Sequence, residues 1–317
     1  MDVLVSLDHY FVMPCSVLLV SISENNVGID IHCHLLIDET VTEEDKNSIR
    51  DSLPKGHNIV LTYYNVNTVN MPKLYIPSEH SFTKPTYYRL FAASILPKEV
   101  SKVIYIDGDA VVVDKLNELW DIDIANVAVA GVLDSNQGVS HYNRIKLKKD
   151  KEYINAGVML INLQYIREQR IEQKFREYLD NNNPKYVDQD VVNYVCQDEK
   201  MILPIRFNIM TSYLYKREFA AFYYEDYKDD VKEALSNPVI YHFVGVKPWY
   251  VDCKHPMKDK FLEYYKQTKW AKEPLMRRRK NFKSVLKYML HKTGLQQFDE
   301  FKDKFDYAIM NFNHDIE

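Results

Sequence analysis

KVIYIDGDAVVV, residues 102–113 of this 317-residue chain, is its most informative stretch. The apolar run VIYI is typical of a buried strand, and the strand pattern ends at Asp107-Gly108-Asp109. Side chains two residues apart share one face of an extended chain, so both carboxylates can point the same way. Such a pair repels unless a divalent cation or a shared proton lies between its members. The stretch therefore predicts a buried strand with a metal-binding or acid–base pair at its end.

Two interpretations of this pair stay open at this point. In one, Asp107 and Asp109 bind Mg²⁺ or Mn²⁺, ions that typically bridge to substrate phosphates. In the other, they lie in a loop and cap the next helix. A lone Asp-x-Asp motif does not distinguish the two.

The residues before this motif alternate between strand and helix patterns. Helices are indicated after Pro14, where proline fits a first helical turn, and at 42–53, where Thr42 and Asp45 can form a capping box. The alternation predicts an α/β fold with a parallel sheet, in which ligands lie beyond the carboxyl ends of strands. Asp8 follows the first strand. The predicted strands are 3–7, 29–36 and 57–66.

The α/β pattern continues after the motif. An amphipathic helix is expected over 85–96. The stretch 153–163 reads as a strand with a turn at 155–157, and 164–200 as mostly helical. Further buried strands are expected at 127–133, ending at Asp134, and at 239–245.

Composition narrows the classes of protein. A chain that is 46% hydrophobic can bury the core of one large α/β domain, and a net charge of -4 gives no basic field for nucleic acid. The four cysteines are scattered, with no zinc or redox pair. Asp8 and His9 interrupt the first apolar run and no later stretch could span a bilayer, so we expect a cytoplasmic protein without a signal peptide.

His242 and Lys247 extend the metal hypothesis. His242 follows the strand pattern VIY, and imidazole suits manganese better than magnesium or calcium. Lys247 follows Gly245, and an ammonium beside a small backbone can clamp a phosphate. A structural role stays open for each.

Taken together, the ordered motifs resemble glycosyltransferase family 8, which includes bacterial lipopolysaccharide and lipooligosaccharide galactosyl- and glucosyltransferases and glycogenin. The similarity extends over about 8–250 and implies a GT-A fold, UDP-sugar donors, manganese and retention of the anomeric configuration. The matching motifs are Asp107-Gly108-Asp109, Asn155-Ala156-Gly157-Val158 with Leu160-Ile161-Asn162, Asp188-Gln189-Asp190, and His242-Phe243-x-Gly245-x-Lys247-Pro248-Trp249.

The resemblance also implies a role for each matching residue. Gln189 would lie near the anomeric carbon, and its amide is a poor nucleophile, which favours front-face attack with the departing phosphate taking the acceptor proton. Asp188 stays open as a nucleophile for double displacement. Asp188 and Gln189 would lie under the sugar ring. The other implied ligands are Asp107, Asp109 and His242 for Mn²⁺ (or Mg²⁺), Asp134 and Asn155 for sugar hydroxyls, Arg89 for the sugar or diphosphate, Gly245 and Lys247 for the diphosphate, Gly108 for the substrate, and Tyr10 stacked on uracil with Asp8 beside it.

The sequence departs from the family at Leu7. Family members carry a polar residue there, and Leu7 cannot make a side-chain hydrogen bond to the base. Either Asp8 or backbone groups would then recognise uracil. The nucleotide preference is therefore less firmly implied than the use of a metal.

The predicted function is a retaining, metal-dependent transfer of galactose or glucose from a UDP-sugar to a hydroxyl of a glycan, glycolipid or glycoprotein, in surface-polysaccharide or lipopolysaccharide synthesis. A phosphatase of the haloacid dehalogenase type, with Asp107 as nucleophile and Asp109 as acid, is the alternative. Such enzymes follow the pair with Gly-Thr or Gly-Val near the start of the domain, whereas Ala110 follows here. A lectin-like protein would leave the convergence of acidic residues, His242 and Lys247 unexplained.

Residues 1–265 are expected to form the GT-A domain and 266–317 a helical, basic and aromatic C-terminal segment. Between 266 and 292 the only acidic residue is Glu273, and Phe282, Val285, Leu286 and Met289 recur at helical spacing. Such a helix can lie on an anionic membrane as a peripheral anchor, or pack its apolar face on the catalytic domain.

Overall fold

The computed structural model describes residues 1–68, 70–77, 82–134, 144–148, 151–214, 227–245 and 247–277. Their strands are β1 (Asp2–Leu7), β2 (Ile31–Ile37), β3 (Ile59–Asn65), β4 (Lys102–Ile106), β5 (Ala110–Val112), β6 (Val129–Leu133), β7 (Ile154–Asn162), β8 (Lys200–Ile202), β9 (Ile209–Met210) and β10 (Ile240–His242). Their α-helices are α1 (Val12–Asn25), α2 (Glu43–Ser52), α3 (Ala92–Ile95), α4 (Asn117–Asp121), α5 (Leu163–Glu168), α6 (Ile171–Asn181), α7 (Val187–Val195), α8 (Lys228–Ser236) and α9 (Lys258–Tyr265).

Two sheets organise the described residues. The larger has the order β3-β2-β1-β4-β7-β6-β8, and the smaller has the order β5-β10-β9. The pairs β3–β2, β2–β1 and β1–β4 are parallel, whereas β7 is antiparallel to both of its neighbours. The predicted α/β alternation with a parallel first half is therefore confirmed. The carboxyl ends of β1 and β4 lie side by side, which brings Asp8 and Asp107 to the same edge.

Local signals explain the first helices. α1 is apolar on nearly all sides and contacts β1, β5 and α9, so it is buried between the sheets. The predicted capping box at α2 is present: Asp45 N donates to Thr42 Oγ1 at 3.1 Å, and Thr42 N donates to Asp45 Oδ2 at 2.9 Å. These reciprocal bonds satisfy backbone donors that a helix N-terminus leaves open.

The predicted turn at 155–157 is wrong, because β7 runs through it without a break from Ile154 to Asn162. The lack of a side chain at Gly157 instead lets His242 and Asp107 approach the backbone of β7 closely. A Cβ there would collide with the ring of His242 and lie 2.8 Å from Asp107 Oδ2. The Asn-Ala-Gly pattern therefore makes room for functional side chains, whereas local turn propensity suggested a bend.

The helix expected over 85–96 is also different in the structure. Residues Lys84–Phe91 wind as a 3-10 helix, and only Ala92–Ile95 are α-helical. Nearly every side chain from Pro85 to Phe91 is buried. Since contacts surround the segment on all sides, packing and not the 3.6-residue period determines its winding.

The C-terminal segment is described only to residue 277. Residues 266–277 form turns after α9 and not the expected helix. They pack on the domain: Lys269 N donates to Ser52 Oγ at 3.1 Å, and Met276 N donates to Trp249 O at 2.9 Å. The predicted apolar face from Phe282 to Met289 lies outside the described residues. Among the described helices, none has the length and apolarity needed to cross a bilayer. The domain boundary after residue 265 stays a prediction.

Candidate active site

A cleft of about 600 Å³ opens at the carboxyl ends of β1 and β4. All but one of the residues predicted for the site line it: Asp8, Arg89, Asp107, Gly108, Asp109, Asp134, Asn155, Asp188, Gln189, His242, Gly245 and Lys247. The exception is Tyr10, which lies outside the lining and is 81% exposed. The fold thus gathers side chains from positions 8 to 247 into one cavity.

Asp107, Asp109 and His242 converge as the metal hypothesis requires. Asp107 follows β4, Asp109 precedes β5, and His242 ends β10, whose antiparallel register pairs it with Ala110. His242 Nε2 lies 3.4 Å from Asp109 Oδ1 and 3.8 Å from Asp107 Oδ2. Two carboxylates and an imidazole suit a divalent ion such as Mn²⁺. The helix-capping interpretation of the aspartates is wrong, because β5 follows them directly.

Positive groups hold the two aspartates in place. Arg89 Nη2 and the Tyr105 hydroxyl donate to Asp107 Oδ1 at 2.7 Å and 2.6 Å, and the guanidinium stacks on the Tyr105 ring. Lys247 Nζ forms an ion pair with Asp109 and donates to Phe243 O at 2.9 Å. Burial alone would raise the pKa of Asp109, but Lys247 and then His242 lower it well below its ordinary value. Asp109 is therefore a carboxylate, the form that binds a cation.

The backbone N–H group of Gly157 in β7 fixes the orientation of the polar side chains behind the metal-site candidates. Gly157 N donates to Asn155 Oδ1 at 2.9 Å, so Asn208 Nδ2 must also donate to that oxygen, at 3.0 Å. Asn208 Oδ1 then faces His242 Nδ1 at 3.1 Å and accepts its proton. With Nδ1 donating to Asn208, Nε2 is the His242 nitrogen that faces the aspartates and would ligate an ion held there.

The same strand orients Gln189. Ala156 N and Asn155 Nδ2 donate to Gln189 Oε1 at 3.1 Å and 3.0 Å. Its Nε2 therefore donates outward, to Asp134 Oδ2 at 3.0 Å. Asp134, Asn155 and Gln189, which lie far apart in the sequence, thus form one hydrogen-bonded layer in the cleft lining.

Asp188 is a buried acidic residue of the site whose hydrogen-bonding capacity is not fully used. It lies in the first turn of α7, is almost completely buried, and its Oδ2 accepts no hydrogen bond from the described residues. Burial raises the pKa of Asp188 to about 7, although Arg89, with Nε 3.2 Å from Oδ2, opposes the rise. A buried carboxylate oxygen without a donor, on a cleft wall, is suited to accept a hydrogen bond from a substrate hydroxyl.

Asp190, the last residue of that motif, has a different environment. It does not line the cleft and is completely buried. Arg144 Nη2 donates to its Oδ1 at 2.7 Å, the Tyr153 hydroxyl at 2.5 Å, and Tyr186 N donates to its Oδ2 at 2.9 Å. These donors make Asp190 an anchor for the start of α7.

The end of β1 provides fewer fixed polar groups. Leu7 lines the cleft with an apolar side chain, as its sequence position suggested. Asp8 is buried, and its Oδ1 has no hydrogen-bond partner among the described residues. Phe11 also lines the cleft and packs edge-on against Trp249. The stacking role of Tyr10 stays a prediction.

Sequence reasoning missed Asn208, Tyr105 and Phe11. Asn208 belongs to no motif, and only the parallel pairing of β9 with β10 brings it next to His242. Tyr105 and Phe11 occur in apolar runs whose pattern predicts a core role. No local signal distinguishes any of the three from structural residues.

Comparison with known proteins identifies relatives of this architecture. The sequence profile described as glycosyl transferase family 8 matches residues 2–253. General stress protein A of Bacillus subtilis is 30% identical over 241 residues, covering 74% of this chain and 82% of that protein. Lipopolysaccharide 1,2-glucosyltransferase of Escherichia coli is 25% identical over 289 residues, 89% of this chain and 83% of that protein.

Among solved structures, the crystal structure of galactosyltransferase LgtC in complex with donor and acceptor sugar analogs is similar, with a TM-score of 0.71 and 24% identity. The similarity covers 86% of this chain and 99% of that one. At this identity the likeness concerns the fold. It confirms the expected GT-A architecture.

Proposed function

The chain belongs to glycosyl transferase family 8, and on that premise we propose that it transfers a hexose from a UDP-sugar to a hydroxyl group, with retention of configuration. The observation that carries the proposal is the meeting of Asp107, Asp109 and His242 with Asp188 and Gln189 in one cleft. The first group is suited to a diphosphate-bound cation and the second to a sugar. Glucose and galactose are the proposed sugars, because the names of similar proteins include both a glucosyltransferase and a galactosyltransferase.

Asp107, Asp109 and His242 would hold Mn²⁺, with Mg²⁺ less suited because of the imidazole. A divalent cation stabilises charge on a leaving diphosphate. The side chains around it are already oriented: Arg89 and Tyr105 hold Asp107, and Asn208 fixes the His242 tautomer.

Lys247 would meet the diphosphate at the mouth of the metal site. Its ammonium pairs with Asp109 and lies in a segment that follows Gly245, whose φ of +87° is in the left-handed region that favours glycine. A compact charge on a flexible stem can move from a carboxylate to a nearby phosphate. Lys247 would therefore add positive charge where the leaving group becomes negative.

The fixed Gln189 amide supports front-face attack. Its oxygen is occupied by donors from Asn155 and Ala156, so it is poorly placed to act as a nucleophile. Asp188 lines the cleft and its buried Oδ2 accepts no hydrogen bond from the described residues, which suits it to accept one from a sugar hydroxyl. We propose that both residues bind the sugar and that the departing phosphate takes the acceptor proton.

A glycan, glycolipid or glycoprotein in surface-polysaccharide or lipopolysaccharide synthesis is the proposed acceptor. Part of the support is the lipopolysaccharide glucosyltransferase among the similar proteins. The basic residues between 266 and 292 support a peripheral attachment to an anionic membrane, since each lysine or arginine near such a surface contributes about 1 kcal/mol.

A donor panel tests the reaction. UDP-galactose, UDP-glucose and UDP-N-acetylglucosamine are each incubated with Mn²⁺ and a mixture of sugar acceptors, and UDP release is measured. A phosphate monoester serves as the comparison substrate, because a haloacid dehalogenase-type phosphatase would cleave it. UDP release from a UDP-hexose with an intact monoester is expected. The reverse pattern would favour the phosphatase.

A truncation tests the membrane proposal. The shortened chain should end at Arg277, because Trp270 and Leu275 pack against the core and Met276 pairs with Tyr250. The full chain is expected to sediment with vesicles containing anionic lipid at low salt and to release at high salt, whereas the shortened chain stays in solution and still releases UDP. Equal sedimentation of the two chains would refute attachment through the residues after Arg277.

A further inference from the structure

A second cluster of metal-binding side chains lies at the opposite end of the large sheet from the cleft. Asp2 begins β1, and His32 and His34 belong to β2, where the parallel register pairs Asp2 with His32. One ligand atom of each residue lies within 4.8 Å of the others. Asp2 and Asp8 are separated by the length of β1, about 20 Å at 3.3 Å per residue. The cluster is therefore separate from the cleft.

Both histidines have outer partners on β3 that orient their rings. His34 is fully buried, with Nε2 2.9 Å from Asp2 Oδ1 and Nδ1 3.0 Å from the Tyr64 hydroxyl. His32 Nε2 lies 2.7 Å from Thr62 Oγ1. The two ring centroids are 4.1 Å apart with an interplanar angle of 31°, so one ring must turn for both to bind the same ion in their ring planes. Metal-ligating histidines typically bind a hydrogen-bonding group through the nitrogen that faces away from the ion, and this arrangement provides such groups.

We infer that Asp2, His32 and His34 form a second metal site, selective for a late transition ion such as Zn²⁺. Two imidazoles and one carboxylate are common zinc ligands, whereas Mg²⁺ and Ca²⁺ prefer sites built from oxygen. Bound there, the ion joins β1 to β2 at the amino ends of the strands. Because it binds the folded chain, it raises the thermal stability of the protein and leaves the cleft unchanged.

Zinc titration of the full-length chain against a chromophoric chelator tests the site. An Asp109→Asn background removes a ligand of the catalytic cluster, so that binding reports the second cluster. One zinc ion per chain and a rise in Tm are expected. His32→Gln, at a partly exposed position where a fold defect is avoidable, should abolish both, and Thr62→Val should weaken binding roughly 10–100-fold because it removes the outer partner.

His57→Gln is the matched control, since it removes a histidine at the neighbouring edge of the molecule without touching the cluster. Its zinc affinity should equal that of the parent. Equal zinc binding by His32→Gln and the parent, or no binding by the parent, would overturn the inference and leave a hydrogen-bonded network. UDP release with Mn²⁺ by a His32→Gln variant that retains Asp109 separately reports the cleft, so a failure of the proposed function is distinguishable.

Discussion

The two walls of the cleft differ in how firmly their polar groups are held. One wall, which we call the metal and sugar wall, is formed by Asp107, Asp109, Asn155, Gln189 and His242. Backbone N–H groups of β7 orient its amide side chains, and Asn208 orients the His242 ring. On the wall formed by the end of β1, Leu7 is apolar and Asp8 Oδ1 has no described partner. Preorganised groups matter most where charge develops in the reaction. The comparison shows that polar side chains are held by more hydrogen bonds on the first wall than at the end of β1.

Removing charge from the metal and sugar wall should have the largest effect. Asp109→Asn keeps the side-chain volume but removes a charge that Lys247 and His242 both contact. We expect UDP release to fall by on the order of 10²–10³ or more. Steady-state assays measure the loss, with the exposed Asp121→Asn as control. Activity near that of the control would show that the metal cluster is not needed.

Gln189→Ala should give the next largest effect. The amide touches the sugar side of the cleft and not the metal cluster, so kcat should fall on the order of 10² while UDP affinity changes little. Initial rates measure kcat, and calorimetric titration measures the affinity for UDP. A loss of UDP affinity as large as the loss of kcat would mean that Gln189 is part of nucleotide binding.

Asn208→Leu tests whether the orientation of the His242 ring, which Asn208 fixes, matters for metal binding. The leucine cannot accept the His242 Nδ1 proton, so the ring can present the wrong nitrogen to the aspartates. Metal affinity is expected to weaken roughly 10–100-fold, a typical cost of losing such an outer partner. Electron paramagnetic resonance of free Mn²⁺ measures it. Asn208→Asp retains the acceptor for His242 Nδ1 but cannot donate to Asn155 Oδ1, so it should recover part of the affinity. Unchanged binding by Asn208→Leu would refute the tautomer argument.

The wall at the end of β1 should give the smallest effects. Phe11 lines the cleft, whereas Tyr10 is mostly exposed. If uracil stacks on Tyr10 as the family resemblance implies, Tyr10→Ala should weaken UDP binding by about 1–3 kcal/mol. Phe11→Leu, which keeps a comparable apolar volume, is the companion variant. A larger loss for Phe11→Leu than for Tyr10→Ala would transfer the stacking role to Phe11.

The sequence predicts what depends on local pattern. The buried strand before Asp107, the capping box of α2 and the strand before His242 follow from periodicity and residue type, and the structure confirms them. Ordered motifs identify the cleft lining, because they lie at or near the ends of regular elements. Site residues that are far apart in the sequence can therefore be predicted together when each lies in a recognisable motif.

The errors occur where a distant contact determines local structure. The local sequence predicts a turn at Gly157, because nothing near it in the sequence indicates the ring of His242, which approaches from a strand far along the chain. The winding of Lys84–Phe91 is likewise set by packing on several sides. Asn208 acts only through the pairing of β9 with β10. Predicting any of these three features requires knowledge of the assembled fold.

One measurement addresses the central claim most directly. UDP release from UDP-galactose and UDP-glucose is followed with Mn²⁺, then in excess chelator, and then after Mn²⁺ is restored. If Asp107, Asp109 and His242 hold the ion that stabilises the leaving diphosphate, release stops in chelator and recovers on restoration. Full turnover in excess chelator would contradict the account.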